Sequence, residues 1–269
     1  MCPPDHFRIQ YEINPWMDRT HPVSHTRAAQ QWNDLRALLE KLGAQVSTLD
    51  PVEELPDLVF TANAGMVFQN RVVMAHFRHA ERQGEVAHTT AWFEGQGWQI
   101  ETLPEGCYFE GAGDALFCGD TLFAGYRLRS DVGGLQDLGQ MLGVRVIPLE
   151  LVDPYFYHID TCFCPLDEKT ALYYPEALDD YGRRVMEELV GDLIAVTEEE
   201  ARRLCCNAVV VGRDVVMNGA SPRLVEALRA RNFQTHATPL DEFLKAGGSA
   251  KCLTLRLDGE EAASWKRSE

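Results

Sequence analysis

Five runs of strand-forming residues begin at Gly65, Asp114, Cys162, Asn207 and Cys252, at steps of 49, 48, 45 and 45 residues. The first four are hairpins, turning at Gln69-Asn70, Gly119-Asp120, Asp167-Glu168-Lys169 and Gly212-Arg213-Asp214. A helical pattern follows each of them. The stretch 79–97 reads as one helix weakened by Gly84 and Thr89-Thr90, and 130–142 as another, stopped by Gly143. A third covers 181–189, and a fourth runs to residue 231 from Ser221 as N-cap with Pro222 at the first helical position. An internal repeat of this length, holding a hairpin and a helix in each unit, predicts a closed or stacked array of five α/β units. The same spacings are compatible with an ordinary α/β sheet, so periodicity alone leaves both architectures open.

Before the first repeat, Trp32, Leu35, Leu39 and Leu42 form one stripe and predict a helix over 24–42, with Gly43 as its stop. Strands are expected at 7–16 and 252–257. Residues 1–257 are expected to form one catalytic domain, followed by a polar tail, 258–269, that frays.

A chain of 269 residues with 45% hydrophobic content can bury a sizeable core. Its formal charge of −16 argues against nucleic acid and anionic membranes as partners, while a small cation would be attracted. The opening Met-Cys-Pro-Pro-Asp-His lacks the pattern of a secretory leader, and no apolar run reaches the roughly 18 residues that span a bilayer, so a cytoplasmic protein is expected. A homo-oligomer is compatible with the sequence, which shows no interface. The eight cysteines include Cys162-x-Cys164 and Cys205-Cys206 but no Cys-x-x-Cys. They suggest neither a disulfide framework nor a zinc knuckle, and most read as small core residues.

The reactive residues fall in phase with the repeat. Asn63 precedes the first hairpin, Glu110 and Asp114 mark the second, His158 and Asp160 the third, and Cys252 the last run. If the run from Phe156 is extended, His158 and Asp160 leave the same face. In a pseudo-symmetric ring these positions converge on the axis. The result would be one pocket with a nucleophile, a general acid/base and a cage of carboxylates.

The ordered set Phe60-Thr-Ala-Asn63, Glu110-Gly-Ala-Gly-Asp114, His158-Ile-Asp160 and Gly247-Gly-Ser-Ala-Lys-Cys-Leu-Thr254 resembles the guanidino-group-modifying enzymes. These include arginine deiminases, arginine dihydrolases, dimethylarginine dimethylaminohydrolases and amidinotransferases. The likeness runs from Ile13-Asn-Pro-Trp-Met17 to Thr254. It implies the pentein fold, a five-bladed α/β propeller of pseudo-symmetric hairpin-plus-helix repeats. It also implies Cys252 as the nucleophile, His158 as acid and base, and Glu110 as the carboxylate that orients His158 or meets the guanidinium. Asp160 and Asn63 match the guanidinium-binding pair, and Arg82 and Arg129 resemble the arginines that hold the substrate carboxylate. Simpler readings stand beside these: Arg82 and Glu85 as an ordinary helix pair, Arg129 as a solvated charge, Asn14 as the cap of the Pro15-Trp16 turn, Asp114 as either a substrate ligand or a hairpin cap.

A guanidinium is planar, resonance-stabilised and a poor electrophile, so attack on it needs a strong nucleophile and acceptors that fix its plane. A thiolate beside a cationic imidazole would be reactive near neutral pH, and neither metal nor organic cofactor is called for. Deiminases usually have Asp where this chain has Asn63. An amide both accepts and donates, and tolerates a neutral ureido group better, which is similar to the dihydrolases that take arginine through citrulline to ornithine. Asp160 favours an unmethylated substrate over a methylated arginine, making dimethylargininase the runner-up. Transfer to an amine and an inert arginine-binding scaffold are the remaining alternatives. Arginine ranks above agmatine because agmatine would leave Arg82 and Arg129 without a carboxylate.

Overall fold

A computed structural model describes residues 1–259. The chain opens as coil and enters α1 (His25–Lys41), whose buried stripe is Ala28, Trp32, Leu35 and Leu39. The first hairpin is β1 (Gly65–Phe68) and β2 (Arg71–Met74), in antiparallel register with Gly65 opposite Met74. Two helices follow, α2 (Ala80–Gln83) and α3 (Glu85–Gly95), so the helix expected over 79–97 is divided at Gly84. The chain then returns as β3 (Gln99–Glu101), parallel to β2.

This antiparallel hairpin, helix and parallel return strand recur. The second unit is β4 (Ala115–Cys118), β5 (Thr121–Tyr126), α4 (Val132–Leu142) and β6 (Arg145–Glu150). The third is β7 (Phe163–Pro165), β8 (Thr170–Tyr173), α5 (Asp180–Leu189) and β9 (Asp192–Ala195). After α6 (Glu198–Ala201) comes the fourth, β10 (Val209–Val211), β11 (Asp214–Met217), α7 (Pro222–Arg229) and β12 (Gln234–Ala237), and then α8 (Asp241–Leu244). Each sheet has three strands, with the second hairpin strand in the middle. Ser221 caps α7 through the Leu224 amide as expected.

Both chain ends build the fifth unit. The α1 stripe packs with Phe7, Leu240, Phe243, Ala250 and Leu253. The Leu49 amide donates to the Met1 carbonyl at 3.0 Å, and Leu255 and Leu257 pack on Val67, Val72 and Met74. Neither strand expected here forms. Residues 7–16 are coil and turn, and 251–253 are a turn continued as coil, with Leu253 N on Ser249 O and Thr254 N on Lys251 O. Backbone groups in both stretches bond to the centre of the molecule instead of to a ladder, because the side chains they carry are those of the site. Of the polar tail, Asp258 and Gly259 are described, and 260–269 lie outside the described residues. Four three-stranded units and the packing of α1 against residues 240–253 agree with the five-bladed α/β pentein propeller that the resemblance implies.

What positions the site is the start of each hairpin. One turn of 3-10 helix precedes the first three: Thr61–Ala64, Gly111–Gly113 and Ile159–Thr161. All three are buried, and they or the residues just before them bring Asn63, Glu110, His158 and Asp160 to the centre.

Candidate active site

Asn63, Glu110, His158, Asp160, Asn207 and Cys252 meet at this centre, all of them at most 2% exposed. Hydrogen bonds between them join positions about one repeat apart. Glu110 Oε2 lies 2.7 Å from His158 Nε2, 48 residues along the chain. Asn207 bonds to Asp160 across 47 residues and to Cys252 across 45.

His158 is the last extended residue (φ −122°, ψ 152°) before the turn that carries Asp160, so the two do not share a strand as expected. They reach one site because the turn redirects the chain. Burial pushes the His158 imidazole down to about 4, against the pull of Glu110. Burial works to raise the Glu110 carboxyl, but the Arg129 guanidinium and the bond to His158 outweigh it and hold the group below the usual carboxylate range. The pair is therefore neutral imidazole against carboxylate. Nε2 carries the proton toward Glu110 Oε2, and the Nδ1 lone pair faces Asn63 Nδ2 at 3.5 Å.

Asn63 cannot turn its amide around. Its Oδ1 accepts from Arg82 Nη1 at 2.8 Å, and Arg82 only donates, so Nδ2 must face His158 and the Glu110 carbonyl, 3.4 Å away. Gly113 makes room for it: a Cβ there would sit 2.2 Å from Asn63 Nδ2. Arg82 is 3% exposed and held in a fork by Glu85, with Nε on Oε1 and Nη2 on Oε2, both at 2.8 Å. Burial raises the Glu85 carboxyl to about 7 despite that guanidinium. Arg129, 2% exposed, donates to Glu110 Oε2 and to the Ile13 carbonyl, each at 3.0 Å, and lies 4.5 Å over the Tyr157 ring. Neither arginine is a solvated surface charge.

Cys252 differs from expectation in its electrostatics. Its Sγ lies 3.4 Å from Asp160 Oδ2 and 3.0 Å from Asn207 Nδ2. Burial and then the Asp160 charge push the thiol well above its ordinary value. The His158 imidazole, itself pushed down by burial, is not among the groups that lower it.

A narrow cavity opens over the sulfur, lined among others by Asn14, Asp57, Asn63, Arg82, Arg129 and Cys252. Asn14 also holds its own turn, accepting from Trp16 N at 2.9 Å and donating to the Ala246 carbonyl at 3.1 Å. Gly247, at φ +78°, lets the Cys252 loop pass where a Cβ would come within 2.7 Å of Trp16. Asp114 is turned away from the cavity: Oδ2 accepts from Ser130 Oγ at 2.6 Å and Oδ1 from Ile159 N at 3.2 Å, and Ser130 Oγ accepts in turn from Glu110 N. Its carboxylate spans the second and third hairpin starts. Asn207 and Asp57 were not singled out for the site from the sequence. Asn207 was marked only as a hairpin start, yet its phase in the repeat, shared with Asp160 and Cys252, was the available signal. Among the described residues no group of three or more His, Cys, Asp or Glu side chains is arranged to hold a metal, and no helix is long and apolar enough to cross a membrane.

A central thiol, imidazole and carboxylates on a pentein ring define one class of protein, and family comparison agrees: the chain belongs to the N,N dimethylarginine dimethylhydrolase family, described as eukaryotic, which matches residues 4–258. Within it, the chain is 48% identical over 262 residues to the bifunctional arginine dihydrolase/ornithine cyclodeaminase AgrE of Nostoc sp., covering 96% of this chain and 37% of that protein. It thus spans little more than a third of that relative. It is also 39% identical to the N(G),N(G)-dimethylarginine dimethylaminohydrolase of Mycobacterium tuberculosis, over 96% of this chain and 84% of the relative. The crystal structure of the N-terminal domain of ArgZ, a cyanobacterial arginine dihydrolase with a cysteine-to-serine substitution and bound substrate, superposes with a TM-score of 0.93 at 45% identity, covering 96% of this chain and 97% of that one.

Proposed function

We propose that this protein hydrolyses the guanidino group of arginine through a covalent bond to Cys252, as an arginine dihydrolase that carries the reaction to ornithine. The observation that carries the reading is the cavity itself. Cys252 lines it together with Asn63, Asp57, Arg82 and Arg129, and Asp160 lies 3.4 Å from the sulfur, so a cationic head meets carboxylates at one end and an anionic tail meets guanidinium groups at the other.

The guanidinium supplies the positive charge that the resting site lacks. Lying against both the Cys252 sulfur and the Asp160 carboxylate, it favours the thiolate and offsets the repulsion between the two anions. The sulfur bonds to the guanidino carbon, a carbon–nitrogen bond breaks, and the leaving nitrogen departs as ammonia with a proton relayed through His158. Water, deprotonated by His158, then attacks the amidino-thioether and expels the thiolate, giving citrulline. In a second round Cys252 adds to the ureido carbon, a second ammonia leaves, and water releases a carbamate that breaks down to carbon dioxide and ornithine. Glu110 holds the imidazole in register throughout.

Asn63 supports the second round. Its amide adds no charge beside His158, and offers a neutral ureido group both a donor and an acceptor once Arg82 shifts. A dimethylarginine substrate is the second reading, favoured by the family description and by the mycobacterial relative. Against it, the Asp160 carboxylate beside Sγ suits nitrogens that still carry hydrogens. Incubation with arginine and, separately, with asymmetric dimethylarginine decides the matter by mass spectrometry. Ornithine with about two ammonia per arginine is expected, and Asn63→Asp should stop at citrulline. Citrulline alone from the unmodified protein would make it a deiminase, and dimethylamine release would favour the second reading.

A further inference from the structure

The side chain that touches the Cys252 sulfur most closely is Asn207. Its amide is fixed end for end by the backbone: Oδ1 accepts from Ser249 N and Cys252 N, both at 3.1 Å, which obliges Nδ2 to point the other way. There it donates to the Asp160 carbonyl at 3.1 Å and to Cys252 Sγ at 3.0 Å. All of these groups are at most 2% exposed. The imidazole that would ordinarily support a thiolate spends its Nε2 proton on Glu110 and turns its lone pair to Asn63.

From this geometry we propose that Asn207 is a catalytic residue: its Nδ2–H stays on the Cys252 sulfur through the reaction, while its Oδ1 holds the loop that carries the sulfur. The inference rests on the reading of Cys252 as the nucleophile. Negative charge resides on sulfur twice in each round, before attack on the carbon and again when water expels it from the covalent intermediate. A fixed donor at 3.0 Å in a buried site stabilises both of these states. Among the other groups near the sulfur, the Ser249 backbone N–H acts in the same sense as Asn207, and the side chains do not. Asp160 faces it at 3.4 Å, and Tyr157, whose hydroxyl donates to the Ala246 and Gly247 carbonyls, offers it no proton. Asn207 is therefore the neutral counterweight to Asp160, able to favour the thiolate without adding a cation that would repel a guanidinium.

Asn207→Asp keeps the oxygen that accepts from the Ser249 and Cys252 amides and replaces the N–H facing sulfur with an acceptor. Alkylation of Cys252 by iodoacetamide, followed across pH by peptide mass spectrometry, reads the thiolate directly and needs no substrate. The expected result is a midpoint at higher pH, with alkylation about tenfold slower at any pH below it, and arginine turnover reduced about 100-fold. A residue that only braced the loop would lower thermal stability and leave the alkylation midpoint where it was; that result, or unchanged turnover, overturns the proposal. Should Asn207→Asp not fold, Asn207→Ser carries no buried charge and its hydroxyl is too short to reach sulfur, so the same upward shift is expected and an unmoved midpoint is equally fatal. An unmodified protein that showed the alkylation profile but no arginine turnover would overturn the substrate assignment and leave the role of Asn207 at the sulfur intact.

Discussion

His158 Nε2 and Glu110 Oε2 lie 2.7 Å apart although 48 residues separate them in the chain, and the same carboxylate oxygen also accepts from Arg129 Nη1 at 3.0 Å. One oxygen thus fixes the tautomer of the imidazole and neutralises a guanidinium that is 2% exposed. Glu110→Gln leaves that guanidinium buried without its charge partner and gives the imidazole a neutral amide oxygen in place of a carboxylate. Stability should fall by about 3 kcal/mol in urea denaturation, and ammonia release from arginine by at least about 100-fold.

The neutral state of His158 makes stability depend on acid. Its folded value, about 4, lies below the ordinary value of 6.5, so between those limits the unfolded chain binds the proton and the folded chain does not. The contribution is fully present above 6.5 and is lost as the pH falls toward 4. Unfolding free energies measured from pH 7 to pH 4 should drop by about 3 kcal/mol more in the unmodified protein than in His158→Gln.

Asn63 points an N–H at Nδ1 of the buried imidazole from 3.5 Å. Asn63→Asp would place a carboxylate there, and the His158 titration should move upward by about one unit or more. Carbon-13 NMR of labelled histidine reads this in the free protein, apart from any change in products.

The space for Asn63 exists because residue 113 has no side chain. In a Cys252→Ser background, Gly113→Ala drives a methyl group to 2.2 Å from Asn63 Nδ2, and calorimetry should find arginine binding weakened at least about tenfold.

Far from the centre, Thr197 caps α6 in a reciprocal capping box with Glu200, whose carboxylate also receives Ser221 and Arg223. Thr197→Ala should cost about 1 kcal/mol of stability in thermal unfolding with turnover unchanged.

The hairpins were legible because their turns are written in Gly, Asn and Asp, and the helices because their apolar stripes end in a stop. The return strands β3, β6, β9 and β12 were not. They are edge strands, three to six residues long and largely half-exposed or exposed, as in Arg145–Glu150, where Leu149 is the buried residue, so they show no clear alternation. Residues 7–16 and 252–257 misled in the opposite sense: their apolar side chains pack into the core, but the backbone of Ile13 is committed to Arg129. At the site, His158, Glu110 and Cys252 stood out because their chemistry is rare and in phase with the repeat. Asn207 has unremarkable chemistry, and only its neighbours give it meaning. Burial pushes the His158 imidazole down, an effect that composition and spacing do not reveal.

The bonds that join one repeat to the next bear on when this chain becomes dangerous to its surroundings. Arg129 waits for the carbonyl of Ile13, and the amide of Asn14 waits for Ala246, 232 residues away. A nascent chain holding three repeats has an imidazole and carboxylates but no nucleophile, and one with the thiol has a complete pocket only when its first and last segments have met. A complete pocket thus requires the segment around Ile13 and Asn14 and the stretch 246–252 to be in place together.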